Sequence, residues 1–192
     1  LEFPALSRFS PPRDGLMDQQ FVHFLQHPDL NNFLSLRNAL LVSADFNPYS
    51  RELTRVDSFL KARQADEAER LLRSAMTPNH LISPGAHLRL GLAYEMLGQT
   101  EAAQRERAIG MRCLEGILFT GSGSRQEPYL VTRTSDEYDV LLSQRLQFLK
   151  QALVKENSRH LDVIETKDGQ QLHFDVTDIF QIAKSRLSLR SS

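Results

Sequence analysis

His23 and His27 stand four residues apart, the spacing at which a helix sets two imidazoles on one face and can offer them to a zinc ion. No third ligand accompanies them, and Pro28 stops the helix at that point, so no metal site is assigned. A second group, Asp162, Glu165, His173, Asp175 and Asp178, crowds one C-terminal hairpin. A hydrolase can use a histidine and a carboxylate together. Polar residues are expected on the outer face of any half-buried hairpin, however, and the group reads first as a solvated face. Ser122, Ser124 and His173 could serve as nucleophile and base, but no nucleophile-elbow motif frames them. Cys113 lies among Met111, Leu114 and Ile117 and reads as a small core residue. No catalytic, cofactor-binding or metal-binding residue is assigned.

The stretch "TGSGSRQEP" raises the question of phosphate binding. A phosphate loop needs a strand before it and a Gly-Lys-Ser/Thr ending that opens a helix. Here a helical stretch precedes the loop, a strand follows, and no lysine occupies the required place. A dinucleotide fingerprint also needs a preceding strand. Gly121 and Gly123 are therefore expected to end a helix and reverse the chain.

Composition narrows the classes further. The 192 residues are 41% hydrophobic, enough for an ordinary core, and carry a net charge of −1, which gives no global attraction to nucleic acid or an anionic membrane. Arg105, Arg107 and Arg112 alternate with Glu101, Glu106 and Glu115, a solvated helix face rather than a basic stripe. One cysteine cannot close an internal disulfide. No apolar run approaches the roughly 18 residues of a membrane span. The chain opens on Leu1, as a mature form, a trimmed chain or a fragment would, and residues 1–15, with Pro4, Pro11, Pro12 and Gly15, read as an irregular lead-in.

These residues must be positioned by a helix-rich first half and a strand-rich second half. Apolar spacing predicts a helix over 16–27 and another carrying Leu30, Phe33, Leu34, Leu36, Leu40 and Leu41. Asn47 and Pro48 are expected to cap and open the next helix. Ser83-Pro84 is expected to start a further one, and a long helix should run from Thr100 to about Leu118. Beyond the loop, "YLVT" is a strand candidate. Ser135 is placed to cap a helix whose first turn carries Asp136 and Glu137, which suits the helix dipole. "QALVKE" is a strand, and "HLDVIETKDGQQLHFDV" a hairpin turning at Asp168-Gly169. A short helix closes the chain.

Within the helical half, "HLRLGLAYEMLGQTEAAQR" places Leu90, Gly91, Ala93, Tyr94, Gly98 and Ala103 at spacings that resemble the tetratricopeptide pattern. Gly91 and Ala93 would be small where two helices cross closely, and Gly98 would supply the left-handed turn. The segment "VDSFLKARQADEAERLLRSAM" fits the same frame, with Phe59 at the tyrosine position and Ala68 35 residues before Ala103, close to the roughly 34-residue period. Arg63 stands where the pattern has its turn glycine. The resemblance implies that the first helix of each pair lines a concave face. Its lining positions here are Leu53, Leu60, Leu88, Leu92 and Met96, the candidate partner-binding residues. Because that lining is apolar, the expectation is that the protein's own flanking segments cover it.

The wider pattern, "FNPYS", "LGLAYEMLGQTEAA", the "GSGS" loop with "EPYLVTRTSDEYDVL", and "LDVIETKDGQQLHFDVTDIF", resembles a bacterial family of uncharacterised proteins, a domain of unknown function with tetratricopeptide-like helices. It spans roughly Phe33 to Phe180. The resemblance implies export, and no catalytic role. The expected fold is α+β: tetratricopeptide-like helical hairpins over residues 16–120, a connector at 121–128, and a small half with an antiparallel sheet over 129–192, all in one compact unit. The expected function is a non-enzymatic protein–protein interaction or adaptor module that binds or neutralises one specific protein or peptide partner, with no cofactor and no nucleic acid. The alternative is a hydrolase-type enzyme with a carboxylate or histidine site at the helix–sheet junction.

Overall fold

The computed structural model describes residues 16–190. The expected lead-in at 1–15 lies outside them. The protein is α+β, with 59% of its residues helical and 14% in strands. It divides into two compact units, Leu1–Glu115 and Gly116–Ser192, where the sequence leads one to expect a single unit. The boundary falls inside the last turns of the longest helix rather than in the glycine-rich loop.

The first unit is a series of helices: α1 (Leu16–Gln26), α2 (Leu30–Leu41), α3 (Glu52–Lys61), α4 (Ala65–Ala75), α5 (Pro84–Met96) and α6 (Thr100–Leu118). Asp29 caps α2 by accepting the Asn32 N–H at 2.8 Å. Asn47 does not cap α3, which begins only at Glu52. Its side chain instead accepts the Tyr49 N–H at 3.1 Å, a local turn that competes with helix initiation. Leu53, Val56, Ala68, Leu72, Ala86, Leu90 and Ala93 form one buried cluster, with Phe59, Leu60 and Tyr94 packed on it.

The pairs α3/α4 and α5/α6 repeat each other down to the turn. In the first, Arg63 N–H bonds Leu60 O and Gln64 N–H bonds Phe59 O; in the second, Gly98 N–H bonds Glu95 O and Gln99 N–H bonds Tyr94 O. Both turns pass through the left-handed region, with φ of 57° at Arg63 and 74° at Gly98. The helix-ending geometry is thus imposed on an arginine by the hydrogen-bond pattern, although only glycine adopts it without steric cost. Between α5 and α6 the backbones approach closely. A Cβ on Gly91 would lie 3.1 Å from Ala103 O, and one on Gly110 would lie 3.1 Å from Pro84 O.

The second unit holds β1 (Tyr129–Leu130), α7 (Thr134–Ser143), β2 (Phe148–Glu156), β3 (Arg159–Thr166), β4 (Gln171–Asp175) and α8 (Thr177–Arg190). The sheet order is β1-β4-β3-β2. β2–β3 and β3–β4 are antiparallel, but β1 runs parallel to β4, so the sheet is mixed and not the antiparallel sheet expected. The cause is the chain path: α7 and two strands separate β1 from β4, and such a crossover returns a strand in the same direction. Ser135 does not cap α7; Arg133 occupies the cap position and makes no side-chain cap bond. On β3 the buried residues are Leu161, Asp162, Ile164 and Thr166, which fall on both faces, so simple alternation does not describe this strand.

Candidate functional site

The five partner-binding candidates separate by burial. Leu53 belongs to the buried cluster, and Leu60 is partly buried against it. Leu88 is half-buried, its Cγ close to Gly110 of α6. Leu92 and Met96 are 43% and 39% exposed. The expectation that the protein's own segments cover this face therefore fails at these two residues. Leu88, Leu92 and Met96 are spaced by one turn each and share a face of α5. The same helix is tied to α3 by Arg89, whose guanidinium grips Asp57 through two bonds of 2.7 and 3.2 Å and also donates to Gly85 O at 3.0 Å. The first helix of the second hairpin thus presents two exposed apolar side chains beside the forked ion pair that ties it to α3. The Arg107–Glu95 pair lies on the neighbouring surface.

His87 is buried inside this unit, its Nδ1 2.7 Å from Glu106 Oε2 and its Nε2 2.9 Å from Leu81 O. It binds α5 to α6 and to the preceding turn. The His23 and His27 rings lie 5.0 Å apart, tilted by 47° to one another. Among the described residues, no three histidine, cysteine, aspartate or glutamate side chains gather as metal ligands. Cys113 is buried, as its apolar surroundings in the sequence suggest.

In the second unit the carboxylates behave differently from the reading given above. Asp162 is not on a solvated face; it is buried, and so is Glu137 of α7, which shows no exposed surface. The two carboxyls hydrogen-bond to each other, and the Gln151 amide of β2 donates to both, at 3.0 Å to Glu137 and 2.9 Å to Asp162. Tyr138 Oη donates to the other end of that amide at 3.0 Å. Glu137 Oε1 meets no amide or hydroxyl donor. Burial, then the adjoining Asp162 and Asp136, push the Glu137 carboxyl up to about 10, so it is protonated at neutral pH. Burial also raises Asp162. Sequence spacing could not reveal this group, because Glu137, Gln151 and Asp162 lie on three different elements.

The remaining hairpin residues have local duties. Glu165 pairs with Lys150 at 2.9 Å, and Asp175 accepts the Thr177 N–H at the start of α8. The His173 N–H bonds Gly123 O, stitching the loop to β4. Ser122 Oγ donates to Ser124 Oγ at 3.0 Å, and Ser124 Oγ accepts the Glu127 N–H, so these hydroxyls are engaged within the loop. The Ser122 and Gly123 N–H groups both bond Glu127 O. Two of the loop's amides are thereby turned inward rather than toward an anion. An open cleft of ≈ 570 Å³ beside the loop is lined by Phe119, Gln126, Glu127, Leu130, Arg159 and Asp175 among others, a wall of mixed charge. No helix among the described residues is long and apolar enough to cross a membrane.

No protein-family model, curated protein or solved structure matches the chain.

Proposed function

We propose that the chain is a non-enzymatic protein-interaction module built on tetratricopeptide-like hairpins, and that α3 and α5 present the face on which one specific partner docks. The exposed pair Leu92 and Met96, held beside the Asp57–Arg89 fork on a well-packed helical frame, carries this reading. Apolar side chains one turn apart, flanked by charge, suit an amphipathic segment of a partner protein laid across α3 and α5. The test is a pull-down with the tagged chain alongside Leu92→Asp and Met96→Asp. The proposal requires one protein recovered in stoichiometric amount by the parent chain and lost by both variants. Equal recovery by all three chains refutes this surface.

The hydrolase alternative draws on one observation. A carboxyl protonated at neutral pH beside a second carboxyl is an arrangement general acid catalysis uses. Burial weighs against it, because a general acid must come within hydrogen-bond reach of its substrate and Glu137 has no exposed surface.

A further inference from the structure

β2 is an edge strand with β3 on one side, and no strand pairs with its other side among the described residues. The direction of its free backbone groups follows from β3. His160 O accepts the Val176 N–H at 2.9 Å and the Thr166 N–H donates to Gln170 O at 3.0 Å, so the even-numbered residues of β3 point toward β4. Neighbouring residues in a strand point to opposite edges, so Leu161, Val163 and Glu165 point toward β2, where they face Val154, Ala152 and Lys150. On β2 it is therefore Gln151, Leu153 and Lys155 that aim N–H and C=O away from the sheet.

Protein edges are usually kept short, bulged or covered, because free backbone groups recruit another strand. β2 has nine residues, and its irregularity lies only at one end, between Phe148 and Lys150. The regular part runs over 150–156, with Leu153 at its centre. Leu153 is 54% exposed, and Phe148 and Leu149 are also exposed. Gln151 is held by Tyr138, Glu137 and Asp162, which fixes the edge in place.

We propose that β2 is the pairing edge of a homodimer, joined antiparallel to β2 of a second copy about a two-fold axis through Leu153. That register sets Leu153 opposite its own equivalent and Gln151 opposite Lys155. These are three opposed pairs whose backbone groups all point outward, and each pair exchanges two hydrogen bonds. It also sets Lys150 opposite Glu156 on both sides of the axis, a favourable cross-strand charge pair. Lys150 already pairs with Glu165, and Glu156 with Arg125 at 2.6 Å, so the contact would extend a row of alternating charge. Shifting the axis to Lys155 would oppose two lysines, and shifting it equally the other way would run the pairing into the bulge. The contact is self-complementary and consumes the edge, so it closes as a dimer instead of growing into a fibre.

Sedimentation equilibrium on the whole chain, from micromolar concentration upward, tests this. A dimer is expected. Leu153→Glu, at an exposed position, should keep the helical and strand circular dichroism and weaken the dimer about tenfold or more through like charges at the axis. Lys150→Glu and Glu156→Lys should each weaken it, and the double variant should restore it. That restoration is diagnostic, because in the double variant the contacts with Glu165 and Arg125 within one chain are both repulsive, and only the contact between copies is attractive again. Leu153→Cys should form a disulfide dimer on mild oxidation, since opposed hydrogen-bonded residues lie about 5.5 Å apart. Lys155→Cys should not. A monomer at all concentrations, a dimer indifferent to Leu153→Glu, or a monomer that takes an extended segment of another protein on this edge would overturn the proposal.

Discussion

Glu137→Gln should stabilise the protein at neutral pH and flatten the dependence of its stability on pH. In the unfolded chain Glu137 titrates near 4.5, whereas in the fold it titrates at about 10. Between those values folding requires a proton that the unfolded chain has released. The unfolded state then binds fewer protons than the folded state, and stability falls as pH rises. It is fully present below the unfolded value and lost progressively up to the folded one. The cost is about 1.4 kcal/mol for each pH unit above 4.5, or about 3 kcal/mol at pH 7. Asp162, shifted in the same direction, adds to the same slope. Glutamine has the shape of the protonated acid. Its amide can donate to Asp162 and its carbonyl can accept from Gln151, so the hydrogen bonds survive without the proton. The expected gain at pH 7 is about 3 kcal/mol, roughly 6–12 °C in Tm for a chain of this length. Urea unfolding followed by circular dichroism between pH 4.5 and 8 measures both the gain and the slope. Parallel pH profiles for parent and variant, or a less stable variant at pH 7, would refute the reasoning.

Other outcomes follow from the helical turns and the loop. Arg63→Gly relieves a left-handed arginine and should raise stability by about 0.5–1 kcal/mol, while Gly98→Ala at the equivalent turn should lower it by about 1 kcal/mol; thermal melts of the two variants should move in opposite directions. Ala93→Leu adds volume to a fully buried site in the α3–α4–α5 cluster and should cost about 1–3 kcal/mol, so an unchanged melting midpoint would place Ala93 outside that cluster. Gly123→Ala combines positive φ with a Cβ only 2.6 Å from the Tyr129 ring, and should destabilise by more than about 1 kcal/mol by urea titration. Ser122→Ala, at an exposed hydroxyl bonded only within the loop, should stay within about 0.5 kcal/mol in the same titration.

Local signals in the sequence decided much of the fold. Apolar spacing, Ser83-Pro84 and Gly98 placed α5 and α6, and Asp168-Gly169 placed the β3–β4 hairpin, because caps and turns depend on a few neighbouring residues whose preferences are intrinsic. Period and packing small residues even located the turn at Arg63, where the usual glycine is missing. Four things needed the tertiary structure. The direction of β1 depends on where the chain re-enters the sheet, which no local pattern encodes. Asn47 and Ser135 have the composition of caps, but competing bonds and the helix boundaries set by packing moved the starts of α3 and α7 elsewhere. Asp162 looked like a solvated hairpin residue, because alternation assigns one wet face to a strand; β3 is buried on both faces, and its carboxyl meets Glu137 across 25 residues of sequence. The exposure of Leu92 and Met96 likewise depends on what does not pack against α5. Sequence spacing puts both on one helix face, but only the assembled chain determines whether that face is covered, because burial is a property of neighbours in space and not of neighbours in the chain.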